Sequence, residues 1–154
     1  MALVVGNTPG TDMALSEDKI KGYKHFANKI WNATRFVLDN TKDFNFDKKP
    51  KITNEDKKLL DELSAKIKEI TDDIENYRFY LAGEKLYHYF WHNFADVIIE
   101  KSKSRLVGEN KLEKESAQWT LLEILSVTIK TLHPFMPFIT EEIWSMMPIK
   151  NKKC

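Results

Sequence analysis

The side chains best placed for chemistry lie in the segment IKGYKHFANKIWNATRFVL, residues 20–38. Wound as an α-helix of about 3.6 residues per turn, it gathers Ile20, Tyr23, Ala27, Ile30, Trp31, Thr34, Val37 and Leu38 on one side. Lys21, His25, Asn28, Lys29, Asn32 and Arg35 take the other side, and Phe36 falls among them. A flat ring in a basic, amide-rich, solvent-facing stripe is the equipment for stacking an unpaired nucleic-acid base, with cations at hand for the phosphates. The competing expectation is that Phe36 packs beneath a neighbouring loop.

A second constellation stands further along. His88, His92 and Asp96 recur at every fourth position, so a helix brings them to one face, a spacing that could supply three ligands to zinc. The glutamate that follows the first histidine in H-E-x-x-H is missing, with Tyr89 in its place, and the paired Glu-x-x-His motifs of di-iron bundles are absent too. A polar stripe on a mostly apolar helix is the plainer account. That stripe also carries Lys85, Ile99 and Lys103, and Ile99 is an apolar group on the wrong side of its helix, as Phe36 is on the first.

These residues need elements to hold them. Residues 1–15 read as a lead-in, with Ala2-Leu3-Val4-Val5 apolar and Asn7-Thr8-Pro9-Gly10 a turn. Ser16 caps a first helix whose opening acids, Glu17 and Asp18, suit the positive end of the helix dipole. Residues 39–52 are polar and turn-rich, and Pro50 bars helix continuation. Thr53 or Asn54 caps a second helix with Leu59, Leu60, Leu63, Ile67, Ile70 and Ile74 on one face and charged residues on the other. A third helix over about 79–103 has an aromatic face so broad that it must be central, and Tyr77, Arg78 and Asp96 offer buried polar links. A fourth covers about 114–132, apolar nearly all round, until His133-Pro134 breaks it. Pro137 then opens a short fifth helix ending near Met147, with Met146 and Met147 closing the bundle end. Trp31, Trp91, Trp119 and Trp144 sit on apolar faces, in or near the core. The expected fold is all-α, a helical bundle of about five helices over residues 16–149, with a basic tail at 150–154.

Composition narrows the function. With 24 basic and 23 acidic groups in 154 residues there is no global positive field, so any attraction for nucleic acid must be local, from Lys21, Lys24, Lys29 and Arg35 or from Lys101, Lys103 and Arg105. The lone cysteine, Cys154, excludes an internal disulfide framework and suits a reducing compartment. No apolar run approaches membrane-spanning length and no leader pattern opens the chain, so a cytoplasmic protein is expected. Asn32-Ala33-Thr34 is formally a glycosylation sequon, but its mid-helix position argues against use.

Three blocks, in this order, resemble the anticodon-binding domain of valyl-tRNA synthetases, a branch of the class I synthetases: NTPGTDMALSEDKIKGYKHFANKIWNATRFVL, LYHYFWHNFADVIIEKSK at 86–103, and LHPFMPFITEEIW at 132–144. Relatives of the last block occur in isoleucine and leucine enzymes, and the NKIWNA tract tilts the resemblance to valine. The resemblance implies a module that holds the anticodon stem-loop of tRNA(Val), in which the first helix and the far end of the third lie near the anticodon loop. Lys29, Asn32, Arg35, Phe36, Ile99 and Lys103 then form a cradle where bases meet the apolar groups and cations meet the phosphates. The class I motifs HIGH and KMSKS do not occur, nor does a phosphate-binding glycine loop, so the chain reads as a fragment that catalyses nothing and holds no cofactor. ATP and magnesium would belong to the catalytic half of the same chain, the other expected partner of this domain, which should itself be monomeric. Two alternatives stand beside this reading: a free-standing bundle binding a metal or protein through His88, His92 and Asp96, and the equivalent domain of an isoleucine enzyme.

Overall fold

The computed structural model describes residues 1–6, 16–46 and 48–148. The turn expected at residues 7–10, Cys154 and the basic tail lie outside the described residues. Six α-helical segments follow one another: α1 Glu17–Asp39, α2 Asn54–Glu75, α3 Phe79–His88, α4 Ile99–Val107, α5 Lys111–Leu132 and α6 Pro137–Met146. Between α3 and α4 a π-helical stretch, Tyr89–Ile98, continues the same rod without a break, so the rod counted as one gives five helices. No strand occurs among the described residues, and the expected all-α bundle is what forms.

Local chemistry sets the helix starts. The Ser16 side chain accepts from the Lys19 amide, Thr53 from Asp56, and Asn110 from Glu113, each supplying a partner to an orphan amide of the first turn. The Asn110 cap starts α5 three residues before the expected Lys114, because apolar periodicity marks the buried face while the cap marks the end. At the other end of α5 the backbone turns at His133-Pro134, and the His133 ring nitrogen meets the Thr140 hydroxyl at 2.9 Å, tying α6 to the corner.

Helix α5 is the central post. Twelve of its residues are buried, round almost its whole circumference, and α1, α2, the rod and α6 all pack on it. Helix α1 meets this core with Phe26, Ile30, Ala33, Thr34 and Val37, an arc turned by about 60° from the face that the periodicity predicts. Phe26, fully buried, stacks near-parallel on Trp91 at 6.1 Å and edge-on to Phe90 at 6.0 Å, whereas Ile20 is half exposed. The aromatic pairs along the rod draw α1 round to that angle. The four tryptophans are partly buried at the margins of the core rather than inside it.

Two buried carboxylates of α2 cross-link the bundle, Asp56 in register with Leu60, Leu63 and Ile67 on the apolar face and Asp73 at the margin of that face. Asp56 receives Arg105 of α4, with one contact at 2.9 Å, and the hydroxyls of Ser116 of α5 and of Thr53. Asp73 receives Arg78 at 2.9 Å and Lys85 of α3 at 2.6 Å. Arg78 and Asp73 thus form a part-buried polar link, with only the carboxylate inside, and Tyr77 forms none: it ends α2 with φ +59° and a ring in solvent. Arg105, spent inside the protein, leaves the basic surface patch that its sequence neighbours suggest. Met147 closes the bundle end while Met146 stays exposed.

Candidate nucleic-acid interface

Phe36 lies on the last turn of α1, and its ring is partly buried because the rotated core arc puts it at the edge of the packed face instead of opposite it. The Lys103 ammonium of α4 stands 5.6 Å from the centre of that ring. Asn40, Ser104 and Val107 complete a shallow cleft of about 370 Å³ around the pair. Its floor is fixed: the Asn40 amide, backbone and side chain, donates to the Phe36 carbonyl at 3.1 and 2.8 Å, capping α1 beneath the ring. Val107 is 83% exposed and Lys103 also bonds Glu100 at 2.6 Å, so the cleft is an open apolar surface with one ammonium at its rim. A flat π-system would find a ring to stack on there and a cation for an adjacent phosphate.

The other cradle residues fall differently. Asn32 and Arg35 are exposed on α1. Lys29 sits two turns before Phe36, bonded to Asp96 at 2.6 Å and 5.7 Å from the Trp91 ring, which pins α1 to the π segment instead of leaving a free ammonium. Ile99 is corrected outright: it is 5% exposed and belongs to the core. In the π stretch the Ile99 amide bonds back to the Phe94 carbonyl, five residues earlier, so Tyr89, Phe94 and Ile99 stack on one side and all three are buried. A helix of uniform 3.6 residues per turn, the geometry assumed from sequence, carries Ile99 past that face. Asn40, Ser104 and Val107 escape a sequence reading; the signal was there in Val107, an apolar residue left over after Leu106 at a helix end.

The zinc alternative finds no support in this geometry. His88 and His92 lie with ring centres 4.7 Å apart and His92 approaches Asp96 at 3.7 Å, but Asp96 is already bonded to Lys29. Among the described residues no three histidine, cysteine or acidic side chains are grouped to hold a metal ion. No described helix is long and apolar enough to cross a membrane.

Residues 56–154, from the first turn of α2 through α6, match the family described as the anticodon-binding domain of tRNA ligase. The chain belongs to that family. The anticodon-binding domain resembles several valine–tRNA ligases: the protein of Thermotoga maritima is 42% identical over 143 residues, covering 93% of this chain and 16% of that protein. The Carboxydothermus hydrogenoformans protein is 40% identical over 152 residues, 97% of this chain and 17% of the relative. That of Bacillus subtilis is 39% identical over 150 residues, 95% and 17%. The chain therefore spans about a sixth of the length of the curated relatives it matches. Of the cradle, Ile99 and Lys103 lie inside the family match, and the α1 residues lie before it but within the reach of these relatives.

Proposed function

We propose that this anticodon-binding domain holds the anticodon stem-loop of tRNA(Val) as one part of a valine–tRNA ligase. The observation that supports it most is the likeness, over 93% and 97% of this chain, to stretches of proteins named valine–tRNA ligase, joined to an aromatic cleft with a cation at its rim. In this reading an anticodon base stacks on Phe36 while Lys103 neutralises a flanking phosphate, and Asn32 and Arg35 line the approach along α1. Lys29 takes part by exchanging Asp96 for a phosphate. Separate domains suit the task, because the anticodon and the aminoacylated end of a tRNA lie too far apart for one bundle to touch both. The catalytic domain of the same chain would carry ATP and magnesium and join valine to the far end of the tRNA. The domain works in the cytoplasm and is monomeric in solution.

Titration of the purified chain with anticodon stem-loops of valine and isoleucine tRNAs tests this. Tighter binding to the valine hairpin is expected. Preference for the isoleucine hairpin would reassign the amino acid, and equal failure with both would sink the RNA-binding reading.

A further inference from the structure

A larger cleft, of about 530 Å³, opens beside the Phe36 surface between the 40–52 loop and the start of α5. The loop carries three lysines in four residues, Lys48-Lys49-Pro50-Lys51, all exposed. It is held at several points. Gln118 of α5 donates to the Asn40 carbonyl at 2.8 Å and to Asp43 at 2.7 Å, and Lys114 bonds Asp43 at 2.9 Å. Phe46 stacks on Trp119 at 6.2 Å, and the Lys49 ammonium lies 4.7 Å from the centre of the Trp119 ring. At its far end the Thr53 amide donates to the Ser116 hydroxyl at 2.9 Å.

The acids lining this cleft already have cations: Asp43 is taken by Lys114, and Glu115 lies 3.7 Å from Lys111. Among the described residues of the loop, Lys48, Lys49 and Lys51 are exposed, and α5 holds the loop at both ends. A backbone so braced loses less freedom when its lysines meet an anion than an untethered loop would. One hydrogen bond relates the two clefts at the end of α1: Asn40 lines the Phe36 cleft, and its carbonyl is the group that Gln118, a wall of the second cleft, holds.

We propose that the Lys48-Lys49-Pro50-Lys51 loop and its cleft bind backbone phosphates of the same RNA strand that stacks on Phe36, extending the interface past the α1 cap. This rests on the anticodon reading above. Phe46 and Trp119 are spent on each other and Phe44 is partly buried against the core, so the contact proposed is with the sugar–phosphate chain and is indifferent to sequence.

The test compares the wild-type chain with a Lys48→Ala/Lys49→Ala/Lys51→Ala variant and with the corresponding triple Lys→Arg variant. Each is titrated over a range of salt with a hairpin carrying the complete anticodon stem and with the unpaired loop sequence alone. The alanine variant should bind several-fold more weakly at low salt and show a log–log salt slope flatter by about two, and the arginine variant should keep the wild-type slope. Loss on the complete hairpin alone assigns the phosphates to the stem, and loss on both RNAs assigns them to the loop. An unchanged slope in a chain that binds these RNAs would overturn this site while leaving the anticodon reading intact. A wild-type chain that binds neither RNA would overturn both.

Discussion

Phe36 shows how little separates a core residue from a binding residue. Its ring covers part of the core edge and leaves the rest to the cleft it shares with Lys103. Burial that is only partial limits its worth to the fold, so Phe36→Ala should lower stability by about 1 kcal/mol. Its loss from a stacked base should cost about 1–3 kcal/mol of RNA affinity, with Phe36→Trp or Phe36→Tyr retaining most of it. Thermal melts and hairpin titrations on the same variants separate these effects; a stability loss of roughly 3–5 kcal/mol would return the ring to the core and end the stacking proposal. Lys29 and Lys103 differ at this scale. Lys103→Ala frees the face of Phe36 and should flatten the RNA salt slope by about 0.7 with little effect on melting. Lys29→Ala should flatten it similarly but also lose the half-exposed bridge to Asp96, a contribution of at most about 1 kcal/mol. If neither slope moves, those side chains are off the RNA.

Among the elements, the π segment decides most. By wrapping five residues between bonded amide and carbonyl it turns Ile99 inward and leaves Lys103 at the rim of the Phe36 cleft. Ile99→Ala should therefore cost about 2–4 kcal/mol in denaturant unfolding. A change within about 0.5 kcal/mol would mean that the residue faces solvent after all. The rod carries a second constraint at Gly83, where an added Cβ would stand 2.5 Å from Val5 Cγ2 and 3.3 Å from the Phe135 ring. Gly83→Ala should destabilise by about 1–3 kcal/mol through this overlap, although alanine favours a helix more than glycine does. In a Val5→Ala background the cost should shrink, leaving only the closer approach to the Phe135 ring. A cycle that shows no coupling between the two positions would place the start of the chain away from α3.

At the scale of the molecule, the bundle is clamped by Asp56 at the meeting point of α2, α4 and α5. Burial alone would push the Asp56 carboxyl up, but the bonds it accepts from Arg105, Ser116 and Thr53 outweigh burial and hold it below the usual carboxylate range. A carboxyl depressed on folding stabilises the fold fully above its unfolded value, about 3.9, and loses that contribution as pH falls through its lower folded value. Stability should accordingly drop below about pH 4, and Asp56→Ala should both flatten that drop and cost about 3–5 kcal/mol near neutrality, because the largely buried Arg105 is left without its carboxylate. Urea melts across pH on both chains measure this, and an identical acid limb in the variant would remove Asp56 from the account. Residues 1–154 by themselves should show no valine-dependent ATP–pyrophosphate exchange; turnover that tracks the protein through purification would overturn the division between binding and catalysis.

The amino-acid order alone determined the helices, most of their caps and the family blocks, because caps and turns depend on neighbours in the chain and amphipathic faces on a regular period. Ser16, Thr53, Pro50 and Pro137 act within a turn of where they stand, so α1, α2 and α6 begin where the sequence indicates. Tertiary packing decided what each face meets. The angle of α1 follows from the rings of Phe26, Tyr87, Phe90 and Trp91 packing together, which brought Phe36 to the edge of the core. The inward turn of Ile99 follows from a π segment that no 3.6-residue period announces. The burial of Asp56 and Asp73 is not announced by their residue type, because a carboxylate is buried only where distant cations and hydroxyls arrive to receive it, here Arg105 and Ser116 for the one and Lys85 for the other. The clefts likewise arise where α1, α4, α5 and the 40–52 loop converge, a proximity that separations of tens of residues along the chain leave unspecified until the bundle closes.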